Sequence, residues 1–156
     1  FFLLLAKSGL RVSEALKLRM ENIDFEKQMI VPGQQRRTKL TWVTFFDDEA
    51  REVLLEYLKL RRRKSDRLFP YSKFVFEVAF RKASEKCGVK VLPKTLRKWF
   101  CSTMLQLGVP SEYVDAFCGR TPRNILSKHY LDFSPETLRK VYFSVRMPLL
   151  SVDSQY

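Results

Sequence analysis

Cysteine, histidine and glycine are scarce in this chain of 156 residues, which contains 3, 1 and 5 of them, respectively. The odd number of cysteines, without a Cys-x-x-Cys or Cys/His cluster, argues against a disulfide framework and against a zinc site. It favours a reducing, intracellular setting. Long apolar runs are also lacking, since the opening FFLLLA meets Lys7 far short of the roughly 20 residues that a membrane helix needs. We therefore expect neither a membrane-spanning segment nor a signal peptide.

Acidic residues are also in deficit. The chain has 17 Asp and Glu against 29 Lys and Arg, a formal net charge of +12 at pH 7. That surplus suits a polyanionic partner, because each phosphate that a cation neutralises releases counterions. With 46% hydrophobic and 13% aromatic residues, the chain is globular rather than disordered. We therefore expect nucleic acid as the partner, rather than a membrane or a neutral small molecule.

The pattern of apolar residues predicts one domain that is mainly α with a small antiparallel β-sheet, an α+β fold. Pro32-Gly33 is a turn signal between two short strands. These strands are predicted at 29–31 and 40–46. Helical periodicity, capping residues and terminal glycines predict helices at 1–6, 13–20, 47–64, 72–88, 93–107, 110–117, 121–130 and 134–145. In the helix at 72–88, Val75, Phe76 and Phe80 are expected to face the core. Tyr57 falls on the apolar stripe of the helix at 47–64, where a core tyrosine with a bonded hydroxyl is expected.

Two stretches in the first third of the chain place cations where they suit phosphate. Arg11 lies at a predicted helix start, where free N–H groups favour an anion, and Glu14 is placed to hold its guanidinium. From this stretch alone, an ordinary surface ion pair is the favoured interpretation of these two residues. Arg36 and Arg37 either contact phosphates or form a solvated basic turn. Lys39 lies at the mouth of the predicted hairpin, from which a mobile point charge can reach into a groove.

The densest group of candidate residues lies in the last third of the chain. Lys94 and Arg97 are three residues apart near the start of a predicted helix, so their side chains leave the same face. Lys98 follows as a candidate phosphate contact. Arg120 comes after the next predicted helix, and Tyr130 follows it closely. Cations and a tyrosine are the groups that phosphotyrosyl chemistry on DNA needs.

These stretches resemble the motifs of the tyrosine recombinases, the phage integrase and Xer-like family. SGLRVSEALKL is similar to the arginine box of that family. Where the family usually reads His-x-x-Arg-His, Leu-Gly-His and a terminal tyrosine motif, this chain reads Lys94-Thr-Leu-Arg97-Lys98, Cys118-Gly119-Arg120 and Ser127-Lys128-His129-Tyr130-Leu131. Lysine and arginine in the two histidine positions most resemble the integrases of archaeal fusellovirus-type viruses. The resemblance covers about residues 1–143.

The resemblance implies a catalytic domain with the fold shared by tyrosine recombinases and type IB topoisomerases. Tyr130 would attack a DNA phosphodiester, giving a 3′-phosphotyrosyl bond and a free 5′-hydroxyl. Arg11 and Arg97 would clamp the non-bridging oxygens, and Arg120 would add a hydrogen bond. Lys39 would protonate the departing oxygen. Because the bond energy stays in the phosphotyrosine, neither a metal nor another cofactor is implied.

Two assignments in this scheme have alternatives. A free tyrosine has a pKa of about 10, and either Lys94 or His129 would take its proton. His129 is otherwise a bystander. Either Arg120 or Arg123 fills the third basic position; the other would contact DNA.

By the same resemblance, residues 1–147 are the catalytic domain of a longer protein whose N-terminal DNA-binding domain is absent, and 148–156 are a flexible tail. The implied working form is a tetramer on double-stranded DNA attachment sites in the host cytoplasm, where it integrates viral or mobile DNA into a chromosome. The helix that begins at Pro135 would pack in its own subunit or on a neighbour, delivering Tyr130 in cis or in trans.

Two rival functions fit the same sequence. A type IB topoisomerase has the same chemistry but relaxes supercoils instead of recombining sites. Alternatively, residues 93–119 form a helix-turn-helix, and the chain is a DNA-binding module without catalysis. Such a module has no need of a tyrosine and five cations at these spacings.

Overall fold

The computed structural model describes residues 1–32, 43–62, 64–120 and 131–150. Helices dominate these ranges, and a small three-stranded antiparallel sheet completes the fold. The predicted mainly α fold with a small antiparallel sheet is therefore confirmed. Among the described helices, none combines the length and the apolar character that crossing a membrane requires.

Within the described ranges, the first two helices are short and the longest helices lie in the middle of the chain. The strands lie between these two groups of helices. The strands are β1 (Ile23–Asp24), β2 (Met29–Ile30) and β3 (Thr44–Phe45). The helices are α1 (Phe2–Ser8), α2 (Val12–Ala15), α3 (Asp48–Leu60), α4 (Lys73–Cys87), α5 (Pro93–Gln106), α6 (Ser111–Phe117) and α7 (Pro135–Phe143), with a 3₁₀ turn at Met20–Asn22.

The sheet has the order β1-β2-β3, and both pairs are antiparallel. Ile30 lies in the middle strand, opposite Ile23 on one side and Thr44 on the other. β2 and β3 confirm the two predicted strands within the described residues. β1 was missed, because its two residues show no alternating pattern and, unlike β2, no Pro-Gly turn signal follows them.

The helix predicted over residues 13–20 is wrong. α2 ends at Ala15, and its N-cap is Arg11 rather than a serine. The chain then extends, and the carbonyl of Leu18 accepts a hydrogen bond from the backbone N–H of Leu68 at 2.9 Å. A partner so distant in sequence overrides the local helical preference, which periodicity alone cannot reveal.

Residues predicted to begin helices stand at the starts of α3, α5 and α7, whereas Ser72 occupies the N-cap position of α4 without the side-chain hydrogen bond of a cap. The side chain of Asp47 accepts from the backbone N–H of Ala50 at 3.1 Å and caps α3. Ser134 does the same for α7, with the N–H of Thr137 at 3.3 Å. Pro93 occupies the first turn of α5, where its missing N–H is harmless. These caps orient the helices that surround the candidate site.

Two hydrophobic clusters form the core, one built from α1, α2, α3 and α4, and the other from β3, α5, α6 and α7. α1 packs against α5 and connects them. Phe76 and Phe80 of α4 are buried, as predicted. Val75 was expected to face inward with them, but it is 47% exposed. One residue along a helix turns the side chain by about 100°, which takes Val75 off the buried stripe.

A buried cation joins three distant parts of the chain. Lys7 is fully buried, and its ammonium pairs with the carboxylates of Asp47 and Glu49, each at 2.5 Å. It also donates to the carbonyl of Met147. The hydroxyl of Tyr142 donates to the carbonyl of Lys7 at 2.7 Å. A buried ammonium is stable only when paired in this way, so these contacts fix α1 against α3 and against the end of the chain.

The C-terminal part of the described chain packs on its own subunit. Leu138 and Tyr142 of α7 are buried in the second cluster. Beyond α7, the backbone N–H groups of Leu149 and Leu150 donate to the Glu49 carboxylate at 3.0 and 2.8 Å. Residues 151–156 lie outside the described ranges, and the flexible tail from residue 148 stays a prediction.

Candidate active site

Three parts of the chain meet around the guanidinium of Arg97, which projects from α5. One of its N–H groups donates to the carbonyl of Gly9, in the turn after α1. Another donates to the carbonyl of Cys118, at the end of α6, at 2.8 Å. A guanidinium offers five donors in a rigid plane. The two carbonyls therefore fix its orientation, and donors remain for a ligand.

The Arg97 side chain is only 12% exposed. Burial lowers the pKa of Arg97, and the positive charges of Arg11 and Arg120 lower it further, whereas Glu14 and the Cys118 thiol oppose them. The ordinary pKa of an arginine is so high that the group remains a cation at neutral pH. The carboxylate of Glu14 lies close to both Arg11 and Arg97, and Arg120 follows two residues after Cys118, whose carbonyl accepts from Arg97, so the three guanidinium groups lie in one region.

Glu14 connects two of these arginines. Its carboxylate pairs with the guanidinium of Arg11 at 2.7 Å and accepts the Arg11 backbone N–H, also at 2.7 Å. The oxygen that accepts this N–H, Oε2, also lies 3.8 Å from the Arg97 guanidinium. The predicted contact between Arg11 and Glu14 is therefore present. Arg11 itself is about half exposed, so its remaining donors face solvent.

Gly9 makes the close approach of α1 and α5 possible. Its φ is +65°, a conformation that side chains rarely adopt. A Cβ built on Gly9 would lie 2.7 Å from the ring of Phe100 and 3.0 Å from the sulfur of Cys118. Only glycine fits there, and its carbonyl then reaches Arg97. From the sequence, Gly9 was interpreted solely as a helix end; its position inside the arginine box, two residues before Arg11, was the available signal.

Arg120 is positioned by a turn that follows α6. Gly119 has a φ of +62°, and the backbone N–H of Arg120 then donates to the carbonyl of Asp115 at 2.9 Å. The guanidinium pairs with the Asp115 carboxylate at 2.7 Å, which raises the pKa of Arg120. Asp115 was not predicted from the sequence, because five residues separate it from Arg120 and only the turn brings them together.

The two lysines of the second motif are placed differently from Arg97. Lys94 and Lys98 are exposed on α5, one turn before and one residue after Arg97. The predicted shared face of Lys94 and Arg97 follows from the observed helix. Exposed ammonium groups beside a held guanidinium suit contacts with phosphates along a nucleic-acid backbone.

Six candidate residues lie outside the described ranges. They are Arg36, Arg37, Lys39, Arg123, His129 and Tyr130. Their roles stay predictions, as does the choice between Arg120 and Arg123. The described residues contain no group of three His, Cys, Asp or Glu side chains that could hold a metal.

Two other tyrosines have structural roles. The hydroxyl of Tyr57 donates to the carbonyl of Leu68 at 3.2 Å, and burial raises its pKa. Tyr142 is fully buried, and its pKa is raised well above the ordinary value. A phenol with a raised pKa is a poor nucleophile. Tyr57 had been predicted to be a core residue with a bonded hydroxyl, and this is confirmed.

Comparison with known proteins places the chain beside DNA recombinases. The phage integrase family matches residues 1–137. The tyrosine recombinase XerA of Thermococcus onnurineus is 27% identical over 94% of this chain and 54% of that protein. XerA of Pyrococcus horikoshii is 30% identical over 75% of this chain and 44% of that protein. The chain thus spans about half the length of the curated relatives it matches.

Solved structures share the fold. The crystal structure of XerA recombinase superposes with a TM-score of 0.67 at 22% identity, over 94% of this chain and 57% of that chain. The Tn1549 transposon integrase in complex with circular intermediate DNA gives a TM-score of 0.62 at 17% identity, over 89% of this chain and 55% of that chain. At these identities the likeness shows the architecture alone.

Proposed function

Because the chain belongs to the phage integrase family, we propose that it is the catalytic part of a tyrosine recombinase that cleaves and rejoins DNA through a 3′-phosphotyrosyl intermediate. The observation that supports this most directly is the held guanidinium of Arg97 between Arg11 and Arg120. Three cations on one patch of surface match a phosphodiester whose negative charge grows as a nucleophile attacks.

The positions of the arginines supply electrostatic stabilisation without rearrangement. Arg97 is held by two backbone carbonyls, so its remaining donors point in a fixed direction before DNA arrives. Arg11 is held by Glu14 and keeps an exposed edge. Preorganised donors stabilise a developing charge because no free energy is spent on orienting them during the reaction. In the proposed mechanism both arginines bind the non-bridging oxygens, and Arg120 adds a third contact.

Tyr130 is the proposed nucleophile, and two further groups move protons. Lys39 protonates the departing 5′-oxygen, and Lys94 or His129 accepts the proton of the tyrosine. Strand transfer follows when a 5′-hydroxyl from another strand attacks the phosphotyrosine and releases the enzyme. In this scheme cationic side chains stabilise the negative charge of the transition state, so the proposed reaction is independent of metal.

Double-stranded DNA is the proposed partner. The net charge of +12 favours binding to a polyanion. The exposed Lys94 and Lys98 beside the arginine cluster extend the basic surface along α5. The related Tn1549 integrase structures contain DNA. We further propose that Arg36 and Arg37 contact phosphates and that the full-length protein recombines attachment sites as a tetramer inside the cell.

The narrower proposal is an integrase of a virus or mobile element. It is supported by Lys94 and Arg120, which occupy positions where the family usually has histidine. This substitution pattern most resembles that of archaeal fusellovirus-type integrases. The archaeal XerA relatives share the broader family and support recombination without deciding between chromosomal and viral substrates. Integration of a marked circular DNA into a target plasmid by the full-length protein tests this proposal.

Covalent trapping tests the proposed chemistry. The protein is incubated with a nicked suicide duplex, and a denaturing gel separates DNA-linked from free protein. We expect a linked band in the wild type that disappears in Tyr130→Phe and falls strongly in Arg97→Ala. A band that persists in Tyr130→Phe would place the nucleophile elsewhere.

Arg11→Ala and Arg19→Ala form a matched pair for the same assay. Both arginines are about half exposed, with 49% and 54% of the side chain accessible, and each pairs with one carboxylate, Glu14 or Asp66. Only Arg11 adjoins Arg97. We expect a loss of about a hundredfold or more in cleavage for Arg11→Ala and little change for Arg19→Ala. Equal losses would indicate general electrostatic attraction, as in a DNA-binding module.

Supercoil relaxation distinguishes the topoisomerase alternative. A type IB enzyme relaxes plasmid DNA without a second recombination site. Recombination between two sites on one plasmid, beyond relaxation alone, is the result expected of the proposed function.

A further inference from the structure

Two cysteines that are distant in sequence lie beside the arginine cluster. Cys101 projects from α5, one turn after Arg97, and Cys118 is the C-cap residue of α6. Their sulfur atoms are 3.4 Å apart, and both are free thiols. The third cysteine, Cys87, is exposed at the end of α4. From the sequence, the odd number of cysteines argued against a disulfide framework. The sequence does not reveal this pair, because only the packing of α5 against α6 brings the two residues together.

The two thiols differ in accessibility and in acidity. Cys101 is partly exposed, whereas Cys118 is fully buried. A hydrogen bond from the Cys118 thiol lowers the pKa of Cys101 to about 6, and the charges of Arg120 and Arg97 act in the same direction against burial. That same hydrogen bond, together with burial, raises the pKa of Cys118. The partly exposed sulfur is thus the one whose pKa is lowered, and the Cys118 sulfur lies 3.4 Å from it.

We propose that Cys101 and Cys118 form an oxidation site, which a hydroperoxide converts into an intramolecular disulfide that links α5 to the end of α6. The two sulfurs are within contact distance in the reduced protein, and one of them is open to a small oxidant. Low-pKa, accessible thiols beside a second cysteine have the features of redox-responsive pairs.

The proposed chemistry proceeds in two steps. The Cys101 thiolate attacks one oxygen of hydrogen peroxide, the O–O bond breaks, and hydroxide leaves, giving a sulfenic acid at Cys101 and, after protonation, one water. The Cys118 sulfur then attacks the Cys101 sulfur, the S–O bond breaks, and the hydroxyl leaves with the Cys118 proton as a second water. The two thiols lose two electrons in total, and these reduce one peroxide to two waters.

Disulfide formation would alter the arginine cluster. A disulfide joins its sulfurs at about 2.05 Å, so the pair must close by more than an ångström. The carbonyl of Cys118 accepts a hydrogen bond from Arg97, and the chain continues through Gly119 to Arg120. Movement of Cys118 toward α5 therefore shifts one anchor of Arg97 and the turn that presents Arg120. This consequence for activity rests on the proposed function, whereas the oxidation site itself does not.

Peptide mapping tests the oxidation site in the full chain carrying Cys87→Ser. This substitution removes the exposed third thiol and leaves the core intact. The reduced protein is treated with hydrogen peroxide, alkylated, digested without reductant and examined by mass spectrometry. We expect both thiols to be lost together and a peptide linking residues 101 and 118 to appear. Unchanged alkylation of Cys101, or a disulfide between two chains, would overturn the proposal.

A second variant tests the order of the steps. In Cys87→Ser/Cys118→Ser, the sulfenic acid at Cys101 has no partner and should accumulate, so that a dimedone probe labels it. Without the Cys118 substitution, labelling should be weak because the disulfide forms first. Strong labelling when Cys118 is present, with no linked peptide, would contradict the pairing.

The effect on catalysis is read separately, from covalent trapping of DNA by oxidised and re-reduced protein. We expect oxidation to lower the trapping rate roughly ten- to a hundredfold, with recovery in dithiothreitol, because small displacements of catalytic groups have effects of that size. A linked peptide with unchanged trapping would confine the proposal to a structural disulfide and refute the coupling to Arg97. Failure of the reduced protein to trap DNA would count against the proposed function alone.

Discussion

Replacement of Gly9 by alanine offers a direct test of how α1, α5 and the end of α6 are held together. A Cβ at this position would lie 2.7 Å from two carbon atoms of the Phe100 ring and 3.0 Å from the sulfur of Cys118. Both neighbours are fully buried. The ring therefore cannot swing into solvent, and the backbone must move. Gly88→Ala is the matched control, since Gly88 has nearly the same φ, +68° against +65°, and a Cβ added there would meet nothing within 4 Å.

The two variants separate backbone strain from steric overlap. A non-glycine residue in the left-handed region costs about 1 kcal/mol, and the restriction of the unfolded chain offsets roughly half of that. Gly88→Ala should therefore lower the free energy of unfolding by about 0.5–1 kcal/mol. Overpacking in a closed core adds about 1–3 kcal/mol. We expect Gly9→Ala to lower the free energy of unfolding by about 2–4 kcal/mol.

Urea denaturation followed by tryptophan fluorescence and circular dichroism measures both values. Equal losses for the two alanines, or a smaller loss for Gly9→Ala, would refute the close packing of α1 on Phe100. Gly9→Ala should also reduce covalent trapping of DNA in the absence of denaturant, because the shifted carbonyl no longer anchors Arg97. Gly88→Ala should leave trapping unchanged.

Three further predictions concern charged and ionisable groups. Lys7→Met should lower the free energy of unfolding by about 3 kcal/mol, because two carboxylates lose a buried partner. Its control is Lys73→Met, in an exposed i,i+4 pair, which should change the free energy of unfolding by less than about 0.5 kcal/mol. Similar losses for both in thermal or urea unfolding would contradict the buried ion pair. Asp115→Asn should slow single-turnover DNA cleavage by roughly tenfold, because Arg120 loses the carboxylate that positions it, while DNA affinity stays nearly unchanged. A loss confined to DNA affinity would refute the positioning role of Asp115. The lowered pKa of Cys101 predicts that the rate of its alkylation by iodoacetamide, measured in Cys87→Ser, rises through about pH 6 and levels off above neutral pH. An alkylation rate that still rises at pH 9 would contradict the hydrogen bond between the two thiols.

Local signals predicted most of the helices because each helix is defined by residues close together in sequence. Asp47, Ser134 and Pro93 mark helix starts by chemistry that operates within one turn. The failure at residues 13–20 is equally informative. The helical pattern there is overruled by the hydrogen bond between Leu18 and Leu68, whose free energy is available only after the chain has folded.

The candidate site shows the same contrast between what local sequence signals predict and what depends on contacts between distant residues. Arg11, Arg97 and Arg120 were chosen as candidates from motifs; the structure places Arg11 and Arg97 beside Glu14, and Arg120 two residues after Cys118, whose carbonyl accepts from Arg97. Glu14 was predicted to hold Arg11, but the groups that hold Arg97 and Arg120 were not identified. Gly9 and Cys118 act through backbone carbonyls, which leave no trace in residue type, and Asp115 depends on the turn at Gly119.

The sequence alone thus determined the fold class, the family and the chemical character of the site, since charge, periodicity and motif spacing are properties of the linear chain. Only the tertiary structure decided which groups fix each arginine, why position 9 admits glycine alone, and that Cys101 and Cys118 lie within contact distance. These depend on how α1, α5 and α6 pack. Close packing sets distances to within a fraction of an ångström between residues that are far apart in sequence, such as Gly9 and Arg97, which 88 positions separate.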